Sequence, residues 1–493
     1  MNFTDYLFEH SQAFTTPFLQ EGDRIITHQE LYHAVNSLAD FILRRYGVGK
    51  EFLLLAENSR FFIICYLAII RSGNTVILLE TRIGDADLAQ IRKTCSISAY
   101  FVQERYAARF SDASPHLYSE RILDERSDSM PAYPTTQRDE VAVIVFTSGT
   151  TGAKKGVMLT HDNLVSNTEA IISYLSPLSP NDRICVVLPF YYCYGASLLH
   201  THLRVGGSMI FSRLVFPAVL LKDLRLHRCT GLAGVPSTFQ ILINKTSFLR
   251  EDFPTLRYMT QAGGHLPRKY IGNILDAFPN KKFYVMYGAT EATARLSYLP
   301  PDLARQKIGS IGKGIPGVTL QVVNQEGVPV QPGEVGEITA QGENIMKGYY
   351  KDPEGTAQTI RQGILYTGDL ATVDEDGFIF IVGRSKNIIK SGGYRISPLE
   401  IEDFIISLPD VQGCVVLGLP DEIMGEAVVA VIQTESYNKS SLAEGIKRTC
   451  SKQFPSYKIP QIIEFVSEYP LNSSQKIDRN RLREILLERN KIR

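Results

Sequence analysis

Across its 493 residues the chain has no apolar run long enough to cross a bilayer, no surplus charge of either sign and no cysteine framework. Its most apolar stretch, Phe61 to Ile70, lies between Arg60 and Arg71. A membrane-spanning helix needs roughly 20 such residues, so a buried helix is expected there and membrane insertion is not. Lys plus Arg number 52 and so do Asp plus Glu, a net charge of zero. That removes the overall basic field that nucleic-acid partners favour. The seven cysteines are odd in number, widely separated and without metal-ligand spacing, which argues against disulfides and fits a reducing, cytoplasmic setting. Met1 to Gln20 has no basic start followed by an apolar run, so no secretory signal is expected. Internal repeats and low-complexity tracts are missing as well. The length exceeds one ordinary domain, and 44% hydrophobic against 21% charged residues is the balance of a globular protein.

What is present alternates helix and strand. Thr27-His28-Gln29-Glu30 sets a capping Thr three residues before a Glu, ahead of an apolar periodic stretch from Leu31 to Leu43, which predicts an amphipathic helix opened by a capping box. Phe52 to Ala56, Thr75 to Leu79 and the β-branched run Val141 to Phe146 read as strands, the last buried on both faces. Ile184 to Leu188, Ser208 to Phe211, Gly231 to Val235 and Phe283 to Met286 continue the pattern. Ser111 to Gln137 is polar and Pro-bearing and reads as a surface connection. This alternation predicts an α/β fold, a large N-terminal domain of parallel-type sheets with helices. After about Ile308, Gly-rich turns alternate with short β patterns (Leu320 to Val323, Glu337 to Ala340, Phe378 to Val382), which predicts a small β-rich unit. A compact α+β domain follows, with helices at Pro398 to Leu408 and Ser441 to Gln453 and strands near Cys414 to Leu417 and Ala427 to Gln433. The division is expected between residues 1–385 and 386–493.

Directly after the Val141–Phe146 strand stands Thr147-Ser148-Gly149-Thr150-Thr151-Gly152-Ala153-Lys154-Lys155-Gly156. Its glycines let the backbone approach an anion, its hydroxyls donate to it, and the two lysines add positive charge. On composition alone the segment is either a polyphosphate cradle or a mobile polar loop. It is not a Walker loop, because the Gly-Lys-Ser/Thr ending is absent. Tyr287-Gly288-Ala289-Thr290-Glu291 places a carboxylate suited to a hard cation such as Mg²⁺. Asp369, in Tyr366-Thr367-Gly368-Asp369, has two acceptor oxygens that match a ribose diol. Read singly, Glu291 is a surface residue and Asp369 a turn cap.

In this order, and joined by Gly383-Arg384, the run from Ile388 to Glu402 and Pro470-Leu471-Asn472-Ser473-Ser474-Gln475-Lys476-Ile477-Asp478-Arg479, these segments closely resemble the adenylate-forming superfamily over nearly the full length. That superfamily holds acyl- and aryl-CoA synthetases, peptide-synthetase adenylation domains and firefly luciferase, and the resemblance is nearest to the AMP-forming acid–thiol ligase branch. It implies ATP and Mg²⁺ as cofactors, with Thr147, Ser148, Gly149, Thr150, Thr151, Gly152 and Lys155 on the phosphates. Thr290 would donate to the α-phosphate, Glu291 hold the metal, and Tyr287 and Gly288 pack at adenine. Gly263, Gly264 and His265 would join the nucleotide and acyl site, with Asp369 at the ribose and Arg384 at the ribose or phosphate region. Lys476 would be the catalytic lysine, Lys386 the hinge of a mobile C-terminal domain, and Gly392 and Gly393 the walls of the thiol channel. Two departures stand out: Lys154 replaces the family's Pro, and Gln475 replaces the Gly before the catalytic lysine.

The resemblance places the acyl pocket at Tyr191, Tyr192, Cys193, Tyr194 and Gly195. Tyr192 stands where many relatives have His. The tyrosines are equally readable as packed core. No acid occurs between Pro189 and His200, whereas amino-acid-activating relatives place an Asp there, so a carboxylic acid without an α-amino group is expected. The acceptor is expected to be coenzyme A, whose nucleotide would suit Arg395, Lys452 and Lys458. The alternative is the phosphopantetheine arm of a carrier protein. A non-catalytic nucleotide or acyl-AMP binder is disfavoured by the joint presence of Lys155, Glu291, Asp369, Arg384 and Lys476.

Overall fold

Helices and strands form where these patterns put them. Thr27 caps the His28–Tyr46 helix, and its backbone and side chain engage Glu30 in the expected reciprocal box. Arg60–Arg71 is a helix buried from Phe61 to Arg71. The computed structural model describes the chain except for residues 23, 114–115, 125–132, 134–135, 149–153, 176–177, 473–475 and 492–493, and except for the side chains of Ser148, Asn490 and Lys491.

Two large sheets carry the first part of the chain. The nine-stranded sheet has a parallel centre formed by Lys282–Tyr287, Tyr258–Gln261, Gly231–Gly234, Arg183–Val186, Ser208–Phe211 and Pro17–Glu21. Antiparallel strands flank that centre at both edges. In the seven-stranded sheet, Val141–Ser148, Thr75–Leu78, Glu51–Leu55, Ile97–Val102 and Leu117–Tyr118 run parallel. Lys154–Thr160 and Gly348–Tyr349 add antiparallel strands at the other edge of that sheet. One hydrophobic core, with Phe3, Leu31, Phe62, Tyr66, Leu199 and Met286 among its members, joins the two sheets through the helices between them. Their strands read as near-continuous apolar runs because both faces are covered.

Val318–Val323, Gly336–Gly342, Ile364–Val373, Ile360–Arg361 and Ile379–Arg384 form a separate antiparallel sheet. This is the β-rich unit expected after Ile308. A fourth sheet, of Tyr394–Ile396, Ile389–Ser391, Gly425–Gln433, Gly413–Asp421 and Ile462–Val466, carries the Pro398–Ser407, Lys439–Gln453 and Arg479–Lys491 helices. No described helix is long and apolar enough to cross a membrane.

Two expectations change. The phosphate segment is less loop and more hairpin: the strands reach Ser148 and resume at Lys154, with Thr147 paired to Lys155 and Ser148 to Lys154. Ser111 to Gln137 is not uniformly a connection, since it includes the end of the Glu104–Ala113 helical turns, Leu117–Tyr118 and Glu120–Asp124. The Arg479–Lys491 helix buries Leu482 and Leu486 against the fourth sheet.

Candidate active site

The Thr-Gly-Asp segment lies in the Ile364–Val373 strand, where the pairing register with Gly336–Gly342 shifts. Gly368 takes φ +73 in this bulge and its N–H donates to Glu337. Glycine enters that left-handed region without strain, and a bulge re-aims the side chain that follows. The side chain that follows is Asp369, 5% exposed. Tyr287, at the end of its strand, donates its hydroxyl to Asp369 Oδ2 at 2.7 Å, and Arg384 Nε meets Oδ1 at 2.8 Å. Tyr287, Asp369 and Arg384 thus form one chain, with carboxylate lone pairs left to accept further donors. Burial and the adjacent Asp369 charge push the Tyr287 phenol well up.

Thr290 and Glu291 sit half-buried on a short turn after Tyr287. Gly288 beneath them abuts the Ala294 carbonyl. Glu291 Oε1 accepts the Tyr349 hydroxyl at 2.8 Å. Lys155 Nζ lies 4.6 Å above the Tyr349 ring and 3.4 Å from Asp352. Lys155 and Glu291 are therefore held on either side of one tyrosine.

Lys476 reaches this centre from the last part of the chain. Its loop is closed by Asn472, whose N–H donates to the Lys476 carbonyl and whose side chain accepts the Lys476 N–H. The loop is anchored by Arg479, which grips buried Glu402 through both carboxylate oxygens at 2.6 and 2.8 Å. The Lys476 side chain runs along the open cleft over Gly263, which has φ +87. A Cβ on Gly263 would come within 3.2 Å of Lys476 Cε, so glycine makes the lysine's passage. Desolvation, then repulsion from Arg384, lowers the Lys476 pKa, while Cys193 and Asp369 oppose the shift. Lys386 is lowered in the same sense by burial and by Arg384 and Lys155. Lys155, Arg384, Lys386 and Lys476 thus converge on a centre holding Asp369 and Glu291.

The aromatic segment splits in two. Tyr191 and Tyr194 are buried, and Tyr194 donates to the Thr260 carbonyl at 2.9 Å. Tyr192 and Cys193 border a cavity of about 20 Å³, and Cys193 Sγ lies 3.7 Å from the Thr290 hydroxyl. Gly195 abuts the Pro189 carbonyl. Tyr192 donates to Glu80 Oε2 at 2.7 Å, and Glu80 Oε1 pairs with Lys154 at 2.6 Å. The residue that replaces the family's Pro is thereby joined to the residue that replaces its His.

Not every expected residue meets at the centre. Gly264 faces solvent beside Pro236, and His265 Nε2 lies 2.8 Å from Asp403, across to the Pro398–Ser407 helix. Gly392 and Gly393 form an exposed hairpin turn, where a Cβ would meet Met424 at Gly392 and nothing within 4 Å at Gly393. Lys458 pairs with Glu400, while Arg395 and Lys452 are exposed. Gly149, Thr150, Thr151, Gly152 and Gln475 lie outside the described residues. Sequence reasoning missed Glu80, Asp352, Tyr349, Glu402 and Arg295. Only Arg295 carries a local signal, a lone charge within Ala292-Thr293-Ala294-Arg295-Leu296.

The AMP-binding enzyme family matches residues 9–350, and the AMP-binding enzyme C-terminal domain matches residues 400–476. The chain belongs to the AMP-binding enzyme family. It is similar to a putative acyl-CoA synthetase, YngI, of Bacillus subtilis (strain 168), with 35% identity over 74% of this chain and 66% of that relative's length. It is also similar to a feruloyl-CoA synthase of an Amycolatopsis species, 30% identical over 94% of this chain and 95% of the relative. Among solved structures it resembles ATP-bound MatB from Rhodopseudomonas palustris, with a TM-score of 0.89 and 27% identity over 98% of each chain.

Proposed function

We propose that the chain is an AMP-forming carboxylic acid–coenzyme A ligase. The observation that carries this reading is the convergence of Lys155, Arg384, Lys386 and Lys476 on the Asp369–Thr290–Glu291 centre. Cations that raise one another's cost of charge are relieved by a polyanion, and ATP supplies one. Glu291, a half-buried carboxylate with Tyr349 on one oxygen, fits Mg²⁺, which takes one or two protein carboxylates with phosphate and water as its other ligands. When bound, the ion neutralises phosphate charge.

In the first half-reaction a carboxylate oxygen of the acid attacks the α-phosphorus, the bond to the bridging oxygen breaks, and pyrophosphate leaves. Lys476 and Thr290 would meet the charge that builds on the α-phosphate, Lys155 would hold the outer phosphates, and Asp369 would accept the ribose hydroxyls. In the second, a thiolate sulfur attacks the acyl carbon and AMP leaves. Residues 1–385 and 386–493 would act as two domains hinged at Lys386. Gly392 and Gly393 are exposed, so thioester formation calls for a turn that carries them in and takes Lys476 out. Coenzyme A is the favoured acceptor. A carrier-protein arm shares its thiol chemistry, and side-by-side acyl transfer to each separates them.

The test is pyrophosphate release with ATP and Mg²⁺ across a panel of carboxylic acids, followed by thioester detection with coenzyme A. Release that requires both the acid and Lys476 is expected. Acid-independent release, or none with any acid, would overturn the reading.

A further inference from the structure

Arg295 is a buried cation without an anion. It is 2% exposed, and none of the described carboxylates pairs with it. Its Nη1 reaches the Ala294 carbonyl and its Nη2 the Ser197 hydroxyl, both at 3.4 Å, the Tyr174 hydroxyl also engages the guanidinium, and its Nε has no hydrogen-bond partner. The Tyr194 ring lies 4.0 Å from the guanidinium carbon. That contact offsets part of the desolvation cost and leaves the Nε donor idle and the charge without a counter-ion. A charge in this state calls for a partner of opposite sign.

Its position says where the partner would come from. Arg295 lines a cavity of about 10 Å³ with Ser197, Thr260 and Met286. Ser197 also borders the neighbouring cavity that begins at Tyr192 and Cys193. Cys193 stands beside Thr290 and within the field of Lys476, where the reacting carboxylate belongs. Ser197 lies one turn further along the same helix, roughly 6 Å deeper. Ser197 is thus the wall shared by the cavity at Cys193 and the cavity at the guanidinium.

We propose that Arg295 is a specificity-determining residue that selects a short acid bearing a second carboxylate at its distal end. The inference rests on the ligase reading above. The activated carboxylate meets Lys476 and Thr290 while the distal one pairs with Arg295 and Ser197. A neutral chain of equal length would leave the buried cation unpaired, and a site with such groups discriminates strongly against a ligand that cannot pair with them. The small volume beside Arg295 favours a short linker.

Pyrophosphate release is measured with succinate, glutarate and adipate against butyrate, valerate and hexanoate, for the wild type and for Arg295→Met and Arg295→Lys. The wild type is expected to favour at least one dicarboxylate over its matched monocarboxylate by at least about tenfold in kcat/KM. Arg295→Met should lower the dicarboxylate value by roughly 10²-fold and leave the monocarboxylate within about threefold, and Arg295→Lys should fall between. The preferred dicarboxylate alone should raise the melting temperature of the wild type and not of Arg295→Met, a readout independent of turnover. Equal use of both acid series, or parallel loss of both in Arg295→Met, overturns the proposal while the ligase reading stands. Pyrophosphate from no acid at all overturns both.

Discussion

At the scale of single residues, Lys476 has the plainest consequence. The form that would stabilise the α-phosphate is the charged one, and desolvation together with Arg384 disfavours that form in the free enzyme. Activity should therefore be lost as pH rises through a pKa below the ordinary lysine range. The alkaline limb should appear in kcat/KM for ATP, which reports the free enzyme, and move upward in kcat, because bound polyanion restores the charge. Lys476→Met should lower pyrophosphate release by about 10²- to 10³-fold and leave acyl transfer from supplied acyl-AMP within about threefold. An alkaline limb unchanged in Lys476→Met would assign it to another group. The sequence singled out Lys476, Glu291 and Asp369 because each sits in a short contiguous motif. Glu80 and Tyr349 were not, since their contacts, Lys154–Glu80 and Tyr349–Glu291, join residues far apart in the chain, and nothing local marks either partner.

At the scale of elements, strong local signals held and tertiary ones did not show. The Thr27 capping box and the all-round apolar helix after Ser59 were readable because their causes lie within a few residues. The Arg479–Lys491 helix has no strong local signal, because its buried contacts are few, chiefly Leu482 and Leu486 in a run rich in Arg and Glu. The phosphate segment looked like a loop because its Gly and hydroxyl content hides the pairing that starts at Lys154. The Arg479–Glu402 pair ties the start of that last helix to Pro398–Ser407 and so sets the Lys476 loop. Arg479→Met would leave Glu402, whose side chain is 7% exposed, charged and half-satisfied. The expected loss is about 3 kcal/mol, read as a lower melting temperature. Glu402→Gln in the same chain should recover part of it.

At the scale of the whole molecule, acid sensitivity follows from four histidines in the interior: His28, which burial also lowers, and three with larger shifts. His161 is lowered to about 4, His200 to about 3 and His202 to about 4, in each case chiefly by burial. His161 accepts the Phe3 N–H, His200 meets the Tyr66 hydroxyl, and His202 bridges Leu198 and Tyr258. Unfolded, each would titrate near 6.5, so below that pH the unfolded chain binds more protons than the folded one. Stability should fall as pH drops from about 6.5 toward about 4, by about 4 kcal/mol per pH unit near pH 5 for the three together. Urea midpoints taken from pH 7 to pH 4.5 would check the slope, and His200→Gln should flatten it by about a third.

The Tyr192–Glu80–Lys154 chain has a thermodynamic consequence. One end belongs to the hairpin proposed to hold the phosphates and the other to the wall of the cavity at Tyr192 and Cys193 proposed for the acid. A shift of the hairpin around nucleotide is felt at the acid's door, and linkage requires the effect to run equally in both directions. The two substrates are then heterotropic effectors of one another. We expect ATP to change the affinity for the acid by roughly tenfold in calorimetric titrations of the wild type, and Glu80→Gln to reduce that factor toward one. Unchanged cooperativity in the variant would show that the chain is a strut and carries no message.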